Sequence, residues 1–337
     1  MQKRRPCITV IGLSGHSIFM GVDHFPSAGE TVLCHRLQME PGGKGYNQAI
    51  GCARLGADTR FISAVGDDDT GRQCLQILES EQIDTTWIRR IHDKETAVAV
   101  IQTDAAGENQ VTVYPGAGNS LKAEDIYAAE SAFSGCDVVL VQLELDLACL
   151  KAAIVLAKKH RAKVVLNPAP AQALGPDLLG SIDWLTPNHQ EALLLAGQSF
   201  QAWQPDLTDS NDLEQISQNQ VQILKKIAGE IRRPVTQLLN EQSKPPGIIV
   251  TLGADGAYLF EDENKYFPPF RQTLVKDTTG AGDTFNAAFA TRIAMNRPPE
   301  EAVRFAMAAA ALSVRTHGVI NAIPFESAVL EYLRISK

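Results

Sequence analysis

Short, continuously apolar runs alternate along this chain with longer stretches of helical character. Cys7–Leu13, Thr59–Val65, Asp137–Gln142, Lys163–Asn167 and Gly247–Leu252 have the length and β-branched content of strands. Gly45–Leu55, stopped by Gly56, has the length of a helix, as do Asp146–His160, Ala281–Met295 and Pro299–Val314. Strands without a polar face must be covered on both sides, and helical crossovers are the usual cover. The alternation therefore predicts an α/β fold with βαβ units and a mostly parallel central sheet. In such sheets ligands collect beyond the carboxyl ends of the strands.

Two segments depart from the rhythm. Thr96–Gln102 and Gln110–Tyr114 bracket the turn-rich Ala105-Ala-Gly-Glu-Asn and predict a hairpin, while Ser17–Met39 is extended and broken by Pro26 and Gly29. Together they predict a small β-flap, a lid made of residues 15–41 and 96–116. Gln198–Pro246 is dense in glutamine and holds Pro205, Pro234, Pro245 and Pro246. Inside it Leu213, Ile216, Val221, Leu224, Ile227 and Ile231 recur at helical spacing, so a helix within a surface insertion at 198–246 is expected.

Composition removes several function classes. The net charge of −8 over 337 residues lacks the basic face that a general nucleic-acid binder needs. No stretch is long and apolar enough to span a membrane. The apolar run after the basic residues at the start is broken at Thr9 and Gly12, which fits a first strand better than a signal peptide. Six cysteines without a C-x-x-C pair suit buried thiols of a cytoplasmic protein. The seven histidines show no zinc-ligand spacing.

The chemistry is concentrated in glycine-rich turns that lead into helices. In Asp277-Thr-Thr-Gly-Ala-Gly-Asp283, Gly280 and Gly282 let the backbone turn tightly and approach a ligand. The helix that follows offers free N–H groups and the positive end of its dipole, which is an anion site. A carboxylate there, Asp283, is either an N-cap or a reactive group. Pro41-Gly-Gly-Lys44-Gly-Tyr-Asn47 repeats the design with side chains that can hydrogen-bond hydroxyls. Thr251-Leu-Gly253-Ala-Asp-Gly256 follows a strand and suits close approach to a nucleotide. Thr186-Pro-Asn188-His-Gln-Glu191 spaces Asn188 and Glu191 as a capping box. There is no G-x-x-x-x-G-K-[ST] P-loop, and no G-x-G-x-x-G after the first strand.

These four motifs, in this order, resemble the PfkB (ribokinase-like) carbohydrate kinase family over nearly the whole chain apart from Gln198–Pro246. Gly42–Ala49 and Asp277–Phe285 are similar to its two signatures. Phe25–Val32, Gln142–Glu144, Asn167–Ala171 and Pro115–Asn119 are similar to ribokinase-type members. The resemblance implies one ribokinase-like domain over 1–337, a three-layer α/β/α fold with a small β-sheet lid. It implies an ATP-dependent kinase acting on a sugar hydroxyl. Asp283 would be the general base, with Gly280 in the same catalytic loop and the amides of Ala281, Gly282 and Asp283 holding the phosphoryl group. Gly43, Lys44, Gly45, Asn47, Glu144, Gly15 and Ser17 match acceptor-binding positions. Asn188, Thr251, Gly253, Gly256, Gly282 and Met307 match ATP-binding positions, and Glu191 would act through water on Mg²⁺. Asp277, Thr279, Ser313, Thr316, Gly318 and Ala322 match a loop that holds K⁺, and simple loop structure is the alternative for them. A homodimer formed through the lid is also implied.

One departure bears on the acceptor. Ribokinases carry Asn-x-Asp after the first strand, where this chain has Gly15-His16-Ser17. Losing a carboxylate that grips hydroxyls re-aims recognition, so another sugar or a nucleoside stands beside ribose. A catalytically silent ligand-binding relative is the alternative outside enzymes.

Overall fold

The computed structural model describes residues 4–197, 218–238, 244–270 and 274–336. The strands, in chain order, are β1 (Cys7–Ile11), β2 (Gly15–Val22), β3 (Cys34–Gly42), β4 (Asp58–Gly66), β5 (Ile88–Ile91), β6 (Ala97–Thr103) and β7 (Asn109–Tyr114). They continue as β8 (Val138–Gln142), β9 (Lys163–Asn167), β10 (Trp184–Leu185), β11 (Gly247–Thr251), β12 (Ala257–Phe260) and β13 (Lys265–Phe267). The helices are α1 (Lys44–Arg54), α2 (Asp69–Ser80), α3 (Ala123–Ala128), α4 (Leu147–Lys159), α5 (Pro176–Leu179) and α6 (His189–Leu195). After them come α7 (Gln218–Leu238), α8 (Ala281–Ala294), α9 (Pro299–Ser313) and α10 (Glu326–Ile335).

Among the described residues nine strands form the main sheet in the order β13-β12-β11-β10-β9-β8-β1-β4-β5. From β5 to β11 every pairing is parallel, and β12 and β13 close the far edge as antiparallel strands. Successive side chains of a strand point to opposite faces, and here both faces are buried. Ile8 and Val10 pack with α1, α8 and α9, whereas Cys7 and Ile11 pack with α3, α4 and α7. The result is the expected three-layer α/β/α arrangement. Burying each such Ile, Val or Phe contributes about 1.5–3 kcal/mol.

A second sheet has the order β3-β2-β6-β7. It contains the expected hairpin as β6 and β7 in antiparallel register, and Ser17–Met39 resolves into β2 and β3. Sequence patterning did not single out α2, β5 or the short α3, whose apolar residues are few. Within the glutamine-rich stretch the expected helix is present as α7. It buries Leu224, Ile227, Ile231 and Val235 in the core beside β12, so this part of the stretch covers the main sheet. Leu213 and Ile216 lie outside the described residues. No described helix is long and apolar enough to cross a membrane.

The order of the main sheet has a mechanical consequence. The chain passes from β1 to one side at β4 and to the other at β8. The carboxyl ends of β1 and β8 thus flank the point where the winding reverses, which is where open parallel sheets leave a crevice.

Candidate active site

At that crevice β1 ends in Gly12 and α1 begins one residue after Gly43. The contact between them is backbone to backbone. A β-carbon on Gly12 would stand 2.1 Å from Gln142 Oε1 and 2.7 Å from Gly45 Cα, so only glycine fits. No side chain of its own loop caps α1. The Glu144 carboxylate, just past β8, does so from across the crevice, accepting the Lys44 N–H at 3.0 Å. A carboxylate at a helix N-terminus is favoured by the dipole. Burial is the larger effect, however, and pushes the Glu144 carboxyl up to about 7 against the pull of Lys44 and two backbone N–H groups.

Asp283 faces this helix start from α8. Gly280, in the left-handed region at φ 75°, is the N-cap of α8, and its side-chain-free turn leaves no cap hydrogen bond. Asp283 is therefore not the N-cap that its place in the sequence allowed. It lies in the first turn, buried at 8% exposure, and its carboxylate reaches across to α1. Oδ2 accepts the Asn47 Nδ2–H at 2.8 Å and Oδ1 accepts the Gln48 Nε2–H at 2.9 Å. Gln48 is itself held. Its Oε1 accepts the Gln142 Nε2–H at 2.6 Å, and its Nε2 also donates to Asn167 Oδ1 at 3.1 Å. Ends of β8 and β9 thereby hold a side chain of α1 that orients a carboxylate of α8.

The backbone N–H groups at the head of α8 are not equally available. The Ala281 N–H already donates to Thr278 O at 3.2 Å. The N–H groups left at the head of α8 are those of Gly282 and Asp283. Gly282 is exposed, with open space where a β-carbon would stand. Lys44 completes the charge balance. Burial disfavours its ammonium, but the carboxylates of Asp283, Glu144 and Glu191 outweigh that and leave its pKa raised. Asn47 Oδ1 is buried with no hydrogen-bond partner among the described residues. A hydroxyl donor is the natural group to satisfy such an acceptor.

Beside this cluster is a cavity of about 590 Å³ lined by Thr251, Gly253, Gly256, Ala281, Gly282 and Met307. Phe270 and Val275 add to its apolar wall. The size and apolar lining suit a nucleotide, and the adjoining head of α8 suits an anion. Asn188 is outside that wall. It pairs with Thr251 across a single β-bridge and forms the capping box of α6, accepting the Glu191 N–H at 2.8 Å. Glu191 returns the bond by accepting the Asn188 N–H at 2.8 Å, and burial raises its pKa. A single carboxylate in this position suits a Mg²⁺ ion that keeps its waters and is carried by phosphates.

The six residues expected to hold a monovalent cation fall on two adjoining loops. Lys276 and Asp277 donate their N–H groups to Val314 O at 2.9 and 3.2 Å, which sets 274–280 beside 313–322. The Asp277 carboxylate is spent on the loop itself, accepting Thr279 N–H at 3.0 Å and Gly318 N–H at 3.1 Å. Ser313 O already accepts the Thr316 N–H at 3.3 Å, so of the six positions at least this carbonyl serves the loop structure itself.

Gly43, Lys44, Gly45, Asn47, Glu144 and Asp283 thus converge. Gly15 and Ser17 enter from β2, where Ser17 is buried against Gly42. A polar cavity of about 550 Å³, which includes Asn119, Lys122, Asp146 and Gln172, opens beside Glu144. Sequence reading assigned no role to Gln48, Gln142 or Asn167. All three lie inside stretches that carried the family resemblance, but nothing local shows that they meet.

Comparison with known proteins agrees with this geometry. The chain matches the pfkB family carbohydrate kinase over residues 8–326. It is 34% identical over 330 residues to a ribokinase of Haemophilus influenzae, covering 98% of this chain and 99% of that one. A deoxyribokinase of Salmonella typhi is 31% identical over 332 residues, covering 98% and 99%. The fold superposes with a TM-score of 0.80 on an Arabidopsis thaliana ribokinase complexed with ribose and ATP, at 26% identity and with 98% and 99% of the two chains covered. The chain belongs to the PfkB family of carbohydrate kinases.

Proposed function

We propose that this kinase transfers the γ-phosphoryl group of ATP to a hydroxyl of a pentose, with ribose as the first candidate. The observation that carries the reading is the Asp283 carboxylate, held by Asn47 and Gln48 at the head of α8 and faced by Lys44. In this reading the acceptor lies under the second sheet. Asn47 Oδ1, Glu144 and the Gly43 backbone take its hydroxyls, and Asp283 accepts the proton of the attacking one. The Gly282 and Asp283 N–H groups then stabilise the charge that develops on the migrating group. Phosphoryl transfer depends mostly on such positioning and charge stabilisation. Asp283 needs to be ionised and within reach rather than strongly basic.

Glu191 would hold, through water, a Mg²⁺ that supplies charge neutralisation for the phosphates, and the 277–279 and 313–322 loops would hold a K⁺. Buried thiols and the family's chemistry favour a cytoplasmic enzyme. The second sheet acts as the lid. On one of its faces Leu37, Met39 and Tyr114 are 61%, 56% and 51% exposed, and covering this apolar face by a second copy gives a homodimer.

A second reading has its own observation. Gly15 and Ser17 place no charged group at the start of β2, so the pocket suits an acceptor with fewer hydroxyls, such as 2-deoxy-D-ribose. An ATP-consumption screen over ribose, deoxyribose, hexoses and nucleosides, with and without K⁺, tests both. Turnover with none of these acceptors would refute the proposal.

A further inference from the structure

Near its carboxyl end β3 passes from exposed to buried. Leu37 and Met39 are 61% and 56% exposed, whereas Glu40 is only 9% exposed. The β2–β3 register sets Glu40 directly opposite Ser17, so the two share the face turned toward the main body. There the Glu40 carboxylate accepts the Val319 N–H at 2.8 Å, and the neighbouring Ile320 N–H also favours its charged form. A buried carboxylate is costly unless it is hydrogen-bonded. Burial does push the Glu40 carboxyl up, against the pull of these two amides. Its partners belong to a loop far along the chain, outside the second sheet.

That loop leads to the cradle by two routes. The Gly318 N–H donates to Asp277 Oδ2, and Asp277 Oδ1 accepts the Thr279 N–H. The Val319 side chain occupies the space beside Gly280, where a β-carbon would stand 2.5 Å from Val319 Cγ1. Gly280 is the residue from which α8 departs, three positions before Asp283. On its other side the loop is gripped by Arg54, which donates to Ile320 O and Ile323 O and pairs with Glu81. Residues 318–323 are therefore held by the second sheet through N–H groups and by α1 through carbonyls.

We propose that Glu40 is a positioning residue that couples the second sheet to the phosphoryl cradle. When the sheet settles over an acceptor, Glu40 sets the Gly318–Ile320 loop, and Asp277 and Val319 pass that setting to the start of α8. Glu40 itself touches neither the acceptor nor the nucleotide. The inference rests on the kinase reading of the site, and it adds the reason why acceptor and nucleotide should bind cooperatively.

Hydrogen exchange and calorimetry on the full chain test it, with D-ribose (or 2-deoxy-D-ribose where that is the better acceptor) and a β,γ-imido analogue of ATP. In the wild type the sugar should slow exchange in 15–22 and 97–103, and also in 276–283 and 316–322. It should tighten binding of the analogue about tenfold, within the usual range of coupling between sites. In Glu40→Gln the slowing in 15–22 and 97–103 should persist, that in 276–283 should vanish, and the tightening should fall to about twofold or less. Because coupling is reciprocal, acceptor affinity without nucleotide should change little, acceptor affinity with the analogue bound should weaken about fivefold, and kcat should fall. Glu40→Asp, which keeps the charge but is one methylene shorter, should behave like Glu40→Gln and serves if that variant does not fold. Full cooperativity in a folded variant, or no change at 316–322 in the wild type, overturns the coupling. Unaltered cooperativity in an active Glu40→Gln enzyme removes only this inference, whereas normal turnover by an Asp283→Asn variant would remove the kinase reading beneath it.

Discussion

Replacing Asp283 by Asn separates what this residue does for structure from what it does for chemistry. Both groups facing its carboxylate are donors, Asn47 Nδ2 at 2.8 Å and Gln48 Nε2 at 2.9 Å. A carboxylate accepts both. A carboxamide accepts one and turns an NH₂ toward the other, which leaves a buried donor unpaired at a cost of about 1–3 kcal/mol. Lys44 also loses one of the three carboxylates that offset its burial. The fold is expected to survive with a lower melting temperature, since the core on both faces of the main sheet is untouched. Turnover should fall about 10²–10⁴-fold, the range for a lost general base. That corresponds to about 3–5 kcal/mol in the barrier. The assay is ADP release at saturating acceptor and nucleotide, with the Kd for the nucleotide measured by calorimetry in parallel. The Kd should stay within about threefold of wild type, because the wall of the nucleotide cavity does not include the Asp283 side chain and one factor of ten is 1.4 kcal/mol. Turnover close to wild type would refute the assignment. A loss of turnover matched by an equal loss of nucleotide affinity would show that Asp283 supports binding and not proton transfer.

Three further outcomes follow from the same geometry. The Glu144 carboxyl is raised from 4.5 to about 7, so its contribution to stability is full below about pH 4.5 and is lost as pH rises through about 7. Glu144→Gln should narrow the difference in unfolding free energy between pH 5 and pH 8, by at most about 3 kcal/mol. An unchanged difference in denaturant titrations would show that Glu144 is not buried as described. Gly280→Ala forces an l-residue into the left-handed region, costing about 1–2 kcal/mol, and drives its β-carbon into Val319. Turnover should fall about tenfold for a misplaced cradle, and Val319→Ala in the same chain should restore part of it; no restoration would break the link between loop and cradle. Met39→Glu places a charge in the exposed apolar face of the second sheet, and light scattering is expected to report a dimer for the unaltered chain and a monomer for this variant. A variant that stays dimeric would move the interface elsewhere.

Much of the fold was written in local chemistry. Runs such as Val138–Gln142 and Lys163–Asn167 have no polar face, and a strand of that kind is stable only between two covering layers. The parallel sheet and its helical layers therefore follow from pattern alone. The glycine turns before α1 and α8 were equally legible, because positive φ at Gly43 and Gly280 and close backbone approach leave few other residues that fit. Lys44, Asn47 and Asp283 could be named for the same reason, as each sits within a few residues of such a turn.

What the sequence could not show are the relations between distant segments. Gln48, Gln142 and Asn167 form one network only because β8, β9 and α1 end at the same crevice. Asp283 could be read as a cap or as a reactive group until α8 was seen to start at Gly280 and to turn the carboxylate toward α1. Sequence gives no sign that the Ala281 amide donates to Thr278 O. Nothing local in the sequence marks Glu40, whose burial depends on a loop 279 positions away. By itself, then, the sequence determined which elements form and which glycine turns can receive an anion, because backbone sterics and apolar patterning act over a few residues. Only the tertiary structure decided which polar atoms are left to meet a ligand, because hydrogen-bond partners and burial are set by where segments far apart in the chain come to rest.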